Sequence, residues 1–323
     1  MKVLVTGATG FVGRCLCEHL ATQGHHVTAA VRSGETLPVN GASRENTVGE
    51  IGPETDWSAA LEGQDAVFHL AARAHVMAET LADPEPLYRR VNVDGTRRLV
   101  EQAQTSGVRR MIFLSSIKVN GEATHSTPYT EQMSPAPQDA YGRTKRDAED
   151  LIKNAPNMRP TIIRSPLVYG PGVKGNFLKL LGLCEARWPL PLGSIDNQRS
   201  FLYLGNLVDA LSCALQDDRS IGQTYLVSDG ADVSTPELLR SAASALNVPA
   251  RILPFPVVLL RIAGRLLGKS AAVERLCGSL RVDSSHIRQQ LDWKPPFTTQ
   301  QGLEITAEWF QNRSKPQANQ KAL

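Results

Sequence analysis

"KVLVTGATGFVG", residues 2–13, holds a short apolar run, three glycines at spacings of three, and the start of an apolar segment. KVLVT reads as a strand rich in β-branched residues, and Phe11 to Gln23 has the length and pattern of a helix. Gly7, Gly10 and Gly13 stand between them, with Phe11 and Val12 opening the helix. Glycines allow the tight turn and let backbone N–H groups approach a pyrophosphate, which the positive end of the helix stabilises. A glycine turn of purely structural purpose is the alternative. The position between a strand and a helix favours a dinucleotide site.

Further along, HHVTAAV, DAVFHLAA, a helical stretch from Asn92 to Ser106, RRMIFLSS and PTIIRSPLVYG continue the alternation. Strands alternating with helices imply βαβ units, hence an α/β fold with a Rossmann-type, doubly wound parallel sheet. Residues 1–170 are expected to form the dinucleotide-binding domain, with a later strand near 200–228 returning to it. Pro- and Gly-rich stretches such as YGPGVKGN and WPLPLGSIDNQRS then introduce a smaller, irregular C-terminal substrate lobe over 171–312, and 313–323 reads as a disordered polar tail.

The 323 residues carry 35 basic and 32 acidic side chains, a formal charge of +3 that gives no reason to expect a nucleic-acid partner. Five scattered cysteines form no CxxC pair, so they read as small core residues in a reducing cytoplasm. The first strand follows Met1 directly, and no secretory leader is expected. LPFPVVLLRIAGRLLG (253–268) is the longest apolar segment, but two prolines, two arginines and its length argue against insertion in a membrane. Packing on the protein's own core is the expectation for it, and contact with a membrane surface the alternative. His69 and His75 have no carboxylate or cysteine at ligand spacing, so no metal site is expected.

The second strand ends at Val31-Arg32, where an acid would select NAD by its ribose hydroxyl and an arginine can pair with the extra phosphate of NADP. Arg32 therefore favours NADP over NAD, with an ordinary solvated arginine as the alternative. Glu50 and Ile51 follow the third strand and could border the adenine. In DAYGRTKRDAED, Tyr141 and Lys145 lie one helical turn apart on one face. An ammonium beside a phenol stabilises the phenolate, so the pair can move a proton at a carbonyl or alcohol oxygen.

With TGATGFVG, HLAA (69–72), NVDGT (92–96), Ser115-Ser116, Tyr141 and Lys145, and RSPLVYGPG (164–172) in this order, the chain resembles the extended short-chain dehydrogenase/reductases that act on nucleotide sugars. The resemblance runs to about Gln311. It implies Ser116, Tyr141 and Lys145 as the catalytic set, with Lys145 also holding the nicotinamide ribose. It implies Leu70, Ala71, Ala72, Asn92 and Pro166 along the dinucleotide, and Gly175, Asn176 and Arg199 at a nucleotide diphosphate. Arg281 and Asp283 are fainter candidates there, a surface ion pair being the other reading. A homodimer through the helices near 92–106 and 141–154 is a further implication.

Three chemistries share this scaffold. The dehydratase pattern carries an acid pair where this chain has Ile117-Lys118, which disfavours dehydration. SSIKVNGEATHS, GVKGNF and PLPLG are similar to the bacterial O-antigen enzymes that reduce a UDP-4-keto-6-deoxy-N-acetylhexosamine to UDP-N-acetylquinovosamine. That 4-ketoreductase, fed by NADPH, is the first expectation; Lys118 and Asn120 would then line the sugar pocket. A UDP-glucose or UDP-N-acetylglucosamine 4-epimerase is the second. A non-catalytic NADP-binding regulator is the third, against which the intact Ser116, Tyr141 and Lys145 argue.

Overall fold

Residues 1–32, 38–74 and 83–313 are described in the computed structural model. The first half runs β1 (Lys2–Thr6), α1 (Phe11–Thr22), β2 (His26–Val31), β3 (Arg44–Thr47), α2 (Ser58–Leu61), β4 (Ala66–His69), α3 (Glu85–Arg89), α4 (Gly95–Thr105), β5 (Arg110–Ser116), α5 (Ala140–Lys153) and β6 (Arg159–Ser165). The second half adds strands β7 (Leu167–Tyr169), β8 (Arg199–Tyr203), β9 (Thr224–Leu226) and β10 (Asp232–Val233). Its helices are α6 (Gly175–Glu185), α7 (Leu204–Gln216), α8 (Thr235–Ala245), α9 (Val257–Leu266), α10 (Ser270–Cys277), α11 (Ser285–Gln290) and α12 (Thr299–Asn312).

Seven parallel strands form one sheet in the order β3-β2-β1-β4-β5-β6-β9, so β1 sits inside it and the chain reverses direction of winding between β1 and β4. This is the Rossmann-like arrangement expected. Val3, Leu4 and Val5 are fully buried because both faces of the sheet are covered. On one face Leu16, Leu20, Leu207 and Leu211 of α1 and α7 pack with Val3 and Val5. On the other, Leu99, Ala103, Ala148 and Ile152 of α4 and α5 pack with Leu4, Val67 and Met111. Each such Val, Leu, Ile or Met side chain contributes about 1.5–3 kcal/mol of burial. The carboxyl ends come into line through register: Thr6 pairs His69, His69 pairs Phe113, and Ser116 pairs Ser165. β9, at 224–226, extends the sheet beyond β6.

Three expectations change. PTIIRSPLVYG is two strands: β6 joins the large sheet, while β7 pairs β8 in a second sheet of order β10-β8-β7. Pro166, which lacks a ladder N–H, separates them. The helix expected from Asn92 starts instead in a wide π-type turn, Arg90–Asp94, before α4 takes over. The apolar segment 253–268 does not pack on the core: of α9, Gly264 alone is buried. The expected tail from 314 on, and His75, lie outside the described residues.

Candidate active site

The turn after β1 is built by contact between backbones. Gly7 has φ +68°, and a Cβ there would lie 2.9 Å from the Ala71 nitrogen, so glycine lets this turn close on the chain leaving β4. A Cβ on Gly13 would stand 2.1 Å from the Gly7 carbonyl oxygen, so the third glycine brings α1 against the turn. The Gly10 amide donates to the Gly7 carbonyl at 2.9 Å. Gly10 caps α1 without a side-chain hydrogen bond, and the first turn holds no acid, which suits the approach of a diphosphate. A cavity of about 360 Å³ opens here, lined by Gly7, Gly10, Arg32, Glu50, Ile51, Leu70, Ala71 and Ala72 among others. The structure thus gathers eight of the expected dinucleotide residues around one cavity whose size and polarity fit a nucleotide.

The remaining dinucleotide candidates lie elsewhere. Phe11 and Val12 pack on the core beneath the turn, and Phe11 also meets the second lobe. Asn92 is buried, and its amide is engaged: Oδ1 accepts from the Arg73 backbone N–H at 2.8 Å, and Nδ2 donates to the Arg73 carbonyl and to Thr144 Oγ1 at 3.1 Å. It clamps the loop after β4 to the helix of Tyr141. His69 is buried between Thr6 and Thr96, with ring nitrogens 2.7 and 2.9 Å from their hydroxyls. Burial, then the Lys145 charge, push it down to about 3, so it is a neutral hydrogen-bonding core residue.

Ser116 ends β5, and Tyr141 and Lys145 lie on α5 behind it. The Asp139 side chain caps α5, accepting from the Gly142 N–H at 2.7 Å, which fixes where the helix starts one turn before Lys145. Burial, then the Asp139 charge, push the Tyr141 phenol up to about 12, against the opposing pull of the Ser116 hydroxyl. Lys145 is 1% exposed; its Nζ donates to the Leu114 carbonyl at 2.7 Å and sits 3.8 Å from the centre of the Phe113 ring. Burial brings it down to about 7, against the opposing pull of Glu149. The sequence-based expectation of a phenolate stabilised by an ammonium is therefore reversed here: desolvation raises the phenol and lowers the amine. Tyr141 rests as a neutral phenol, a proton donor within reach of Ser116.

Lys118 and Asn120 have other partners than a sugar. The Lys118 ammonium is paired with Glu122 at 3.1 Å and with Asp139. Asn120 is 2% exposed: its Oδ1 accepts from Arg164 at 2.9 Å and its Nδ2 donates to the Thr130 carbonyl at 3.2 Å. Arg164 in turn makes a two-pronged, fully buried pair with Glu149, at 2.9 and 2.6 Å. This corrects the expectation that the Asn120 amide forms a pocket wall; it supports the fold beneath the site. Sequence reasoning missed Asp139, Glu149 and Arg164. Only Asp139 left a signal, an N-cap residue directly before a helical run.

In the second lobe, Asn176 is exposed on the first turn of α6. Arg199, on β8, donates to the carbonyls of Arg275 and Gly278 at 3.0 and 2.9 Å. Arg281 is paired with Asp232 at 3.0 Å, the surface ion pair that was its alternative reading, though with a different acid from Asp283. Pro166 is buried at the junction of β6 and β7.

Residues 3–228 match the model of the NAD dependent epimerase/dehydratase family. The chain belongs to this family. It is 44% identical to a UDP-glucose 4-epimerase of Vibrio cholerae over 315 residues, covering 96% of this chain and 95% of that protein. It is 27% identical to the N-acetyl-alpha-D-glucosaminyl-diphospho-ditrans,octacis-undecaprenol 4-epimerase of Escherichia coli O157:H7, covering 95% of each. Among solved structures, MoeE5 in complex with UDP-glucose and NAD is similar at a TM-score of 0.76 and 26% identity, covering 98% of this chain and 100% of that one. The protein is thus an enzyme of the epimerase/dehydratase family, and its cofactor is a nicotinamide dinucleotide.

Proposed function

We propose that this epimerase/dehydratase family member is a nucleotide-sugar 4-epimerase that acts on a UDP-hexose with NAD retained through the cycle. Similarity along almost the whole length to a UDP-glucose 4-epimerase supports this reading most directly, and Ser116 and Tyr141, whose hydroxyls lie close enough for one to pull on the pKa of the other, supply a proton-transfer pair for it. When bound, NAD takes a hydride from the sugar carbon and gives it back. Ser116 orients the sugar O4; Tyr141, a neutral phenol at rest, first gives up its proton to solvent and as the phenolate takes the O4 proton while the carbonyl forms. After the sugar turns over, Tyr141 returns the proton to the same oxygen. Lys145, one turn along α5, holds the ribose of the cofactor. Gly7, Gly10, Leu70, Ala71 and Ala72 hold the dinucleotide; Asn176 and Arg199, in a substrate lobe over 171–312, hold the diphosphate of the sugar nucleotide. The same reading takes the protein as a cytoplasmic homodimer paired through α4 and α5.

One observation favours a second reading, the 4-ketoreductase fed by NADPH: Arg32 lines the same cavity as Gly7 and Glu50, where a 2′-phosphate would meet it. The two part on one experiment. The purified protein is incubated with UDP-glucose or UDP-N-acetylglucosamine and no added cofactor, and separately with a UDP-4-keto-6-deoxy sugar and NADPH. Conversion to the 4-epimer in the first mixture supports the epimerase. Stoichiometric NADPH oxidation in the second, with no epimer in the first, replaces it by the reductase. Neither reaction would leave a dinucleotide-binding protein without this chemistry.

A further inference from the structure

Helices α9 and α10 form a hairpin that makes little use of the core. Gly264 is the buried residue of α9, and α10 has none. The two helices cross at Gly264, where a Cβ would come 2.6 Å from a methyl of Val273, so the hairpin packs chiefly on itself. Its outer side is apolar: Val258, Leu259, Ile262, Leu266 and Leu267 are 65%, 48%, 46%, 83% and 69% exposed. Val258, Ile262 and Leu266 recur every four residues and share one helix face with Leu259. Exposed apolar residues scattered singly need no explanation, but a contiguous stripe on a helix marks a surface that is covered in use.

The charge around that stripe says by what. The hairpin carries four cations, Arg261, Arg265, Lys269 and Arg275, against one acid, Glu274. Arg261 is paired with Glu274 at 3.1 Å. Arg265 and Lys269 have no carboxylate within salt-bridge distance among the described residues, and Arg265 falls at the margin of the apolar stripe. An apolar helix face rimmed by uncompensated cations matches the boundary between acyl chains and anionic headgroups, where the apolar side sinks and the cations meet phosphate. The hairpin of a second copy would offer no such charge partner, since it is equally cationic. No described helix is long and apolar enough to cross a membrane, so the contact would lie on the surface.

We propose that the α9–α10 hairpin docks the enzyme on an anionic membrane surface. The base of the hairpin is joined to the second lobe, where Arg199 donates to the carbonyls of Arg275 and Gly278, and the segment that follows is joined to the loop between β5 and α5, where the Thr124 and Tyr129 N–H groups donate to the Ser279 and Arg281 carbonyls. A hairpin seated on a bilayer therefore fixes the orientation of the lobe as well.

The test is sedimentation of the full chain with vesicles of phosphatidylcholine alone and of phosphatidylcholine with phosphatidylglycerol. Binding is expected to the anionic vesicles, to weaken as salt rises, and to be weak on the neutral ones. Arg265→Glu and Lys269→Glu should each lower the partition constant by at least about fivefold. Ile262→Asp with Leu266→Asp should abolish binding while turnover of a soluble UDP-sugar and the melting temperature stay unchanged, because both side chains are already exposed. Equal binding by the aspartate variant, or none by the parent chain to anionic vesicles, overturns the proposal. So does a parent oligomer that the aspartate variant dissolves, since the stripe would then belong to a second copy.

Discussion

The turn after β1 and the turn after β5 leave the same edge of one sheet, yet they are made in opposite ways. The first is a matter of missing atoms: Gly7 and Gly13 let a turn, a helix and the exit of β4 touch through their backbones. The second is a matter of groups drawn from elsewhere in the chain: Asp139 on Lys118, Arg164 and the Thr130 carbonyl on Asn120, and Tyr141 near Ser116. A backbone turn can receive a generic group such as a diphosphate. A wired turn can hold one proton donor at one place.

If the second turn exists to place that donor, Tyr141→Phe should reduce turnover by about 10²–10⁴-fold while the protein still binds cofactor, measured by steady-state kinetics beside cofactor titration. Its wiring should be nearly as sensitive in stability. Arg164→Met leaves the buried Glu149 carboxylate without its two-pronged partner and with the Lys153 ammonium at 3.9 Å alone beside it among the described residues, and denaturant unfolding should show a loss of about 3–5 kcal/mol. A loss below about 1 kcal/mol would show that the buried pair does not matter to the fold.

The first turn should respond to an added atom. Gly7→Ala puts a Cβ in a left-handed backbone position and against Ala71, which should cost about 1–3 kcal/mol in thermal or denaturant unfolding and weaken cofactor binding as well. His69, which ties β1 to α4, brings acid sensitivity. Its folded pKa of about 3 lies below the ordinary 6.5, so the unfolded chain binds the extra proton between these values. Stability from this residue is then complete above pH 6.5 and is lost as pH falls towards 3. A melting series over that range should fall less steeply for His69→Gln than for the parent.

The smallest effect is expected at Lys118. Its ion pairs are partly exposed, so Lys118→Ala should change stability by less than about 1 kcal/mol. A large rise in substrate KM with unchanged stability would instead return Lys118 to the sugar pocket and break the contrast between the two turns.

The same contrast sets what could be read from the sequence. Glycine spacing after a strand is local, and with it the sheet, its winding and the dinucleotide turn were legible from a dozen residues. Tyr141 and Lys145 were legible because four residues of helix suffice to relate them. The roles of Asn92, Lys118 and Asn120 were not, because each is decided by a partner 21 to 52 positions away. The protonation of the pair was misjudged for a related reason. Spacing gives the neighbour of a charged group but not how much water remains around it, and here loss of water outweighs the neighbour. Segment 253–268 was misassigned because an apolar stripe looks alike whether it faces a core or is left outside one.

The π-type turn at Arg90–Asp94 bears on how this chain can change length. A wide turn holds one residue more than the α-helix around it, so it lets α3 and α4 face different neighbours although they follow without a break. Tyr88 before it meets the Tyr141 ring edge-on, while Leu99, Val100 and Ala103 after it face the sheet. Removing a single residue there would let the turn relax to ordinary helix with the flanking faces kept in phase, because the wide turn already absorbs the extra residue. A one-residue deletion that spares Asn92 should therefore be tolerated better in this stretch than in α4, where it would turn the following face by roughly 100°.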